Sequence, residues 1–299
     1  MASSFISDIK DNLKQSDTLQ KLLLANIVVY LLINIAMGLM GLFMMSLKNY
    51  FDISTWLAVP ASIQLLITRP WTLLTYMFLH IEFFHILFNM LWLYWMGKIL
   101  QEYLGSKKLF STYILGGISG AILYILAFNL FPLFSNVLHS SYALGASASV
   151  LAITVAAATL LPEYPINLFL IGRIPLKFIA LFTILLDLLN VSGSNAGGHI
   201  AHLGGALFGF VYIRQLKKGN DIASWFHKLM DKLAQLFRSS PRSHMKVKYK
   251  RVVDDETFVQ SKKAKQERTD EILDKISKSG YGSLTNEEKD FLFRSSKEN

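Results

Sequence analysis

Apolar residues run almost unbroken through six stretches of this chain, at roughly 22–46, 81–101, 109–131, 146–162, 167–190 and 198–216. About 20 mostly apolar residues suffice for a helix to cross the hydrocarbon layer of a membrane. The pattern therefore predicts an all-α membrane protein built as a six-helix transmembrane bundle, with a short fourth span. Residues 1–21 are polar and precede a first run too long for the apolar core of a signal peptide, with no cleavage pattern. That run is expected to stay as the first span.

The segments between and after the spans are not uniform. Residues 45–80 carry Phe51, Trp56, Leu65, Leu66 and Trp71. They are too apolar for a solvated connector, and predict a loop lying partly in the membrane interface with Trp56 and Trp71 as anchors. Beyond the last span, Trp225, Phe226, Leu229, Leu233 and Phe237 fall on helical spacing with Lys228 and Lys232 between them. This predicts an amphipathic helix on the inner membrane surface. Residues 238–266 are polar, basic and aperiodic and are expected to be a linker. Two short helices follow, around 269–278 and 286–295, and Thr285-Asn286-Glu287-Glu288 has the form of a capping box. The expected divisions are a cytoplasmic segment at 1–21, a membrane domain at 22–217, an amphipathic helix and basic linker at 218–266, and a helical hairpin at 267–299. So few apolar residues leave that hairpin in need of a cytoplasmic partner, a surface or a second copy.

Basic residues orient the bundle. Lys10, Lys14 and Lys21 precede the first span, Lys98, Lys107 and Lys108 surround the second-to-third connection, Arg173 and Lys177 mark the fourth-to-fifth, and Arg214, Lys217 and Lys218 open the tail. Residues 135–141 and 191–197 hold no Lys or Arg. Both termini are thus expected in the cytoplasm of a multi-pass protein of the inner membrane, with spans two, four and six entering from the outer face. Composition narrows the chemistry further. At 52% hydrophobic and 17% charged residues, the chain lies outside the range of ordinary soluble domains. It has no cysteine, which excludes disulfides, thiol catalysis and thiolate metal sites. The net charge of +9 gathers largely after residue 213, beside the membrane, so nucleic acid is not an expected partner.

One stretch stands out chemically, Tyr142-Ala143-Leu144-Gly145-Ala146-Ser147-Ala148-Ser149-Val150. Its small residues leave the Ser147 hydroxyl unshielded, and Gly145 allows a sharp turn before a helix begins. Alone, the stretch reads equally as a small-residue packing surface. Other polar residues converge on its depth, however. His199 and His202 lie in the first turns of span six, and His85 and Asn89 sit four apart, on one face of span two. Such groups are costly inside a membrane, and one shared water-filled cavity would account for all five. Gly197, Ala201, Gly205 and Gly209 form a small-residue ridge on span six, and Ala148, Ala152 and Ala156 another on span four. Two facing ridges would let the backbones approach and bring the Ser147 hydroxyl to the His202 imidazole. A serine becomes a useful nucleophile when an adjacent base takes its proton.

These motifs together resemble the rhomboid family of intramembrane serine proteases, over about residues 20–217. Gly145-Ala146-Ser147-Ala148 resembles the nucleophile motif, and Ala201-His202-Leu203-Gly204-Gly205 with Gly209 the motif around the base. The stretch from His80 through His85 to Asn89 resembles the second-span signature, and Arg69-Pro70-Trp71-Thr72 that of the first loop. The resemblance implies Ser147 as nucleophile, His202 as base and then acid, and no carboxylate orienting the base. It implies an oxyanion held by the Ser147 N–H, His85 and Asn89. Substrates would be transmembrane segments of single-span proteins that unwind readily, cut near the outer face, and no metal or organic cofactor is expected. Three positions depart from the family pattern: Ala148 stands for glycine, Thr72 for arginine, and Leu151 for a common aromatic.

Other readings compete. His199 is a rival base. Ser149 points about 200° away from Ser147 around a helix and is expected to pack. Asp187 is expected to bond the adjoining loop rather than join the catalytic pair. A zinc protease would need His-Glu-x-x-His on one helix face, and His80, Glu82 and His85 are wrongly spaced for it. A rhomboid-like protein that binds membrane clients without cutting them is the main alternative, although both reacting side chains are present. A transporter would show an inverted repeat, which is not seen.

Overall fold

A computed structural model describes residues 17–43, 53–168, 172–237 and 255–297. The segment 1–16, residues 44–52 with Phe51, and most of the expected linker lie outside these. Six helices form the bundle: α1 (Thr18–Phe43), α2 (Phe83–Leu104), α3 (Ser106–Leu130), α4 (Ser147–Leu160), α5 (Leu176–Leu189) and α6 (Ala196–Lys217). Among the described residues, α1, α2, α3 and α6 are long and apolar enough to cross a membrane. Helices α4 and α5 have 14 residues each, which at 1.5 Å per residue is about 21 Å, short of the ~30 Å hydrocarbon layer.

Each short helix has a local cause. At its start α4 is bounded by Gly145, whose φ of 112° is open to glycine alone at little cost, and at its end by Leu161 and then Pro162. Helix α5 begins nine residues later than the apolar run at 167 predicts. Strand β3 (Pro165–Leu168) pairs antiparallel with β4 (Gly172–Pro175), setting Ile166 opposite Ile174 and Asn167 opposite Arg173. Proline has no N–H for a helix interior and pushes the residue before it into an extended conformation. Pro165 and Pro175 thus turn the front of the fifth run into a hairpin despite its apolar composition.

The bundle is centred on α6, which packs along both α4 and α3. A Cβ on Gly205 would lie 2.1 Å from the Ala148 carbonyl oxygen, and one on Gly209 2.2 Å from that of Ala152. The two small-residue ridges do face each other there. The other half of the α6 ridge turns elsewhere: Gly197 meets Tyr124, and Ala201 meets Gly120, both on α3. Ala148, where the family pattern has glycine, is fully buried, and its methyl occupies the hollow beside Gly120. Helix α1 is peripheral, with Leu31, Leu32, Ile35 and Leu42 exposed. A surface as apolar as a core is what a lipid-facing helix needs.

The segment ahead of α2 is not an irregular loop. Short helical turns at Ile53–Leu57, Ile63–Thr68, Thr72–Thr75 and Tyr76–Phe78 fold it over one end of the bundle. Trp56 and Trp71 stack at 6.4 Å, the Trp71 indole N–H donates to the Trp56 carbonyl, and the Arg69 guanidinium lies 4.1 Å from the centre of the Trp56 ring. Thr72 is buried, and its hydroxyl donates to the Arg69 carbonyl at 2.7 Å. The loop therefore uses an arginine three residues before the position where the family pattern expects one.

Helix α7 (Ser224–Phe237) docks one edge on the start of α3. Phe226 is buried and stacks on Phe110, and Lys107 pairs with Asp231. Trp225, Leu229, Leu233 and Leu236 stay exposed. The described residues 255–297 belong to a second compact unit, containing α8 (Asp255–Ser279) and α9 (Asn286–Lys297). Helix α8 starts well before the expected boundary at 267, so residues 255–266 are helix rather than linker. They are mostly polar, but Lys262, Lys263, Ala264, Lys265 and Gln266 are good helix formers. The capping box forms, with the Thr285 N–H 2.7 Å from a Glu288 oxygen and the Glu288 N–H 3.3 Å from the Thr285 hydroxyl. The Lys275 ammonium, donating to Glu288 at 2.8 Å, holds its carboxyl below the usual carboxylate range.

Candidate active site

The turn before α4 is fastened at successive residues. Strand β1 (Val59–Pro60) pairs with β2 (Tyr142–Ala143), and the Ala61 N–H donates to the Ser141 carbonyl. The Gly145 N–H donates to the Tyr76 carbonyl at 2.9 Å, and the Ala146 N–H to His80 Nε2 at 3.2 Å. Thus the first loop holds the chain on which Ser147 opens its helix. Ser147 is half-buried, whereas Ala146, Ala148 and Ser149 around it are buried. Ser149 faces Met77 and α3, away from Ser147.

On α6, His202 turns its Nε2 to the Ser147 hydroxyl at 2.6 Å. Its Nδ1 lies 2.9 Å from Asp187 Oδ1, and the same oxygen lies 2.8 Å from Nδ1 of His199. Asp187 is buried in the last turn of α5. The expectation that its carboxylate bonds the adjoining loop is therefore corrected: it bridges two histidines. The reason is geometric, since His199 and His202 sit three residues apart and so on one face of α6, and that face turns to the end of α5. Asp187, His199 and His202 are also the one group among the described residues whose donor atoms, all within 4.8 Å of one another, could hold a metal ion. Each Nδ1 carrying its proton toward the carboxylate satisfies the same contacts without one.

His85 and Asn89 come to the same place from α2. The His85 ring lies against Gly145, where a Cβ would be 2.7 Å from its Cε1. Asn89 is buried and donates one amide proton to the His85 carbonyl at 2.9 Å, leaving a second amide N–H. Ser147, His202, His199, Asp187, His85 and Asn89 all border one cavity of about 920 Å³, and Leu151 forms part of its wall. All four residues expected to act together, Ser147, His202, His85 and Asn89, thus reach a common space. The arrangement presents a hydroxyl to a base across a short hydrogen bond, with N–H donors nearby.

Two residues acquire a place that sequence reasoning missed. Asp187 is one. The other is His80, which the sequence marks only as the first residue of the second-span signature and which is fully buried. Its Nδ1 donates to the Phe78 carbonyl at 3.3 Å, while the His80 carbonyl accepts from the Asn34 amide at 3.2 Å. The available signal was a histidine five residues before His85, inside the same signature. Burial pushes the His80 imidazole down from 6.5 to about 4, with the neighbouring His85 adding to the effect. The fold thus favours the neutral ring, which alone can accept from Ala146. Its contribution is fully present above pH 6.5 and is lost as pH falls toward 4, where the unfolded chain binds the proton more readily. That interval corresponds to about 3 kcal/mol. Thermal unfolding of detergent-solubilised protein should show such a loss between pH 6.5 and 4, and His80→Gln should flatten it.

Comparison with known proteins places this geometry in context. Residues 68–218, about half of the chain, match the family described as Rhomboid domain. Residues 253–298 match DUF6576, a family of unknown function. RHOMBOID-like protein 12, mitochondrial, of Arabidopsis thaliana is 29% identical over 161 residues, 50% of this chain and 48% of that protein. Rhomboid protease GlpG of Pectobacterium atrosepticum is 36% identical over 66 residues, 22% and 23% of the two chains. Its namesake in Photorhabdus laumondii is 31% identical over 97 residues, 32% and 29%. The chain spans about half or less of the length of the curated relatives it matches.

Proposed function

This integral membrane protein belongs to the rhomboid family, and from that premise we propose that it is an intramembrane serine endopeptidase acting on transmembrane segments of other proteins. The observation that carries the reading is the 2.6 Å contact between His202 Nε2 and the Ser147 hydroxyl at the wall of a cavity. His202 takes the hydroxyl proton as Ser147 Oγ attacks the scissile carbonyl, then returns it to the leaving amine; water repeats the cycle on the acyl-enzyme. The Ser147 N–H at the start of α4, the His85 ring and the second Asn89 amide proton donate to the oxyanion. Donors of this kind are worth on the order of 3 kcal/mol each. The Lys and Arg pattern orients both termini to the cytoplasm, so the cut falls near the outer face of the inner membrane.

The test is cleavage of a model single-span substrate by purified, detergent-solubilised protein, together with covalent labelling by a fluorophosphonate. Wild type is expected to cut and to label, and Ser147→Ala to do neither. Retention of substrate on immobilised wild type without cleavage or labelling would favour the client-binding alternative.

A further inference from the structure

We propose that Asp187 is a positioning residue that fixes the proton of His202 on Nδ1, so that the Ser147–His202 pair works as a carboxylate-supported triad. This deepens the protease reading and rests on it. A carboxylate only accepts hydrogen bonds. With Asp187 Oδ1 2.9 Å from His202 Nδ1, the neutral ring carries its single proton on Nδ1. Its Nε2 is therefore a bare acceptor, 2.6 Å from the Ser147 hydroxyl. Without the carboxylate, the neutral imidazole distributes its proton over both nitrogens, and the Nε2–H form cannot take a proton from serine. Asp187 also faces the positive charge that His202 gains when serine attacks, and it does so from a buried position, where an opposite charge counts for more than in water.

The second histidine explains how a carboxylate is held there. His199 donates its Nδ1–H to the same oxygen at 2.8 Å, giving Asp187 a second partner besides His202. Three elements converge on this arrangement: the end of α5 carries the carboxylate, α6 both rings, and α4 the serine. Both imidazoles meet the same oxygen, and the ring whose other nitrogen faces the serine is that of His202.

Asp187→Asn decides the matter, because its amide N–H can donate to Nδ1 and hold the ring in the wrong tautomer. A serine protease triad altered in this way loses about 10⁴-fold in kcat. Here the expected loss is about 10²- to 10⁴-fold in kcat, with KM and the thermal midpoint near wild type and partial recovery in Asp187→Glu. Wild-type kcat in a folded Asp187→Asn protein would overturn the proposal. A measurement independent of any variant is nitrogen NMR of histidine-labelled wild type: His202 is expected protonated at Nδ1, and an Nε2–H ring would overturn the proposal. This readout stands even if the wild type cleaves nothing, which would count against the protease reading and not against the hydrogen bond. Activity lost to a chelator and restored by zinc would also overturn it, since the three groups would then hold an ion instead of two protons.

Discussion

Replacing His202 with alanine is expected to lower substrate cleavage by about 10⁴-fold or more, on the scale seen when a serine protease loses its base. His199→Ala should stay within about tenfold of wild type by the same scale, and Ser149→Ala should match it. The two histidines are one turn apart on α6 and each touches Asp187, so proximity to the carboxylate does not separate them. The other nitrogen does. In His202 it meets the Ser147 hydroxyl at 2.6 Å, whereas among the described residues the His199 ring bonds Asp187 through Nδ1. Losing His199 leaves the Asp187–His202–Ser147 chain in place but less constrained, hence the modest loss. Single-turnover cleavage with purified variants checks this, with thermal midpoints as the folding control. Activity lost in His199→Ala and retained in His202→Ala would transfer the role of base.

The second large effect is structural. Gly205→Ala should cost about 3 kcal/mol, the upper range for overpacking a well-filled core, and should reduce cleavage by roughly 10²-fold, the scale for a catalytic group misplaced by about 1 Å. The new methyl would sit 2.1 Å from the Ala148 carbonyl oxygen and 2.9 Å from its carbon. Those are backbone atoms of α4 and cannot rotate aside, so the two helices must part. Ser147 is the residue next to Ala148, and His202 lies three residues before Gly205. Separation at this contact therefore lengthens the catalytic hydrogen bond directly. Gly38→Ala is the matching control: nothing lies within 4 Å of its added methyl, and alanine is the better helix former. Its unfolding midpoint should equal or slightly exceed that of wild type. Equal midpoints for the two variants would show that the α4–α6 contact is looser than its geometry states.

The chain and its fold correspond unevenly, for reasons visible at particular residues. The long spans were legible because each helix faces lipid along part of its length and so stays apolar nearly all round, as α1 does at Leu31, Leu32 and Ile35. The same uniformity hid the hairpin at 165–175, since an apolar strand and an apolar helix look alike and only Pro165, Gly172 and Pro175 distinguish them. The juxtaposition of Ser147 and His202 could be anticipated from the small residues every fourth position, which mark where backbones touch. That half of the α6 ridge would meet Tyr124 and Gly120 on α3 instead of α4 could not.

The sequence by itself determined the membrane class, the order of the apolar helices, and the short motifs around Ser147, His85, Asn89 and His202. All of these depend on composition or on spacings within one helix. Tertiary structure alone decided that His80 holds the turn before Ser147 and that Asp187 reaches His202. Those contacts cross 66 and 15 residues of chain, and depend on how far one helix is rotated and slid against the next. No local pattern encodes that displacement, because it is settled by the packing of every side chain between them.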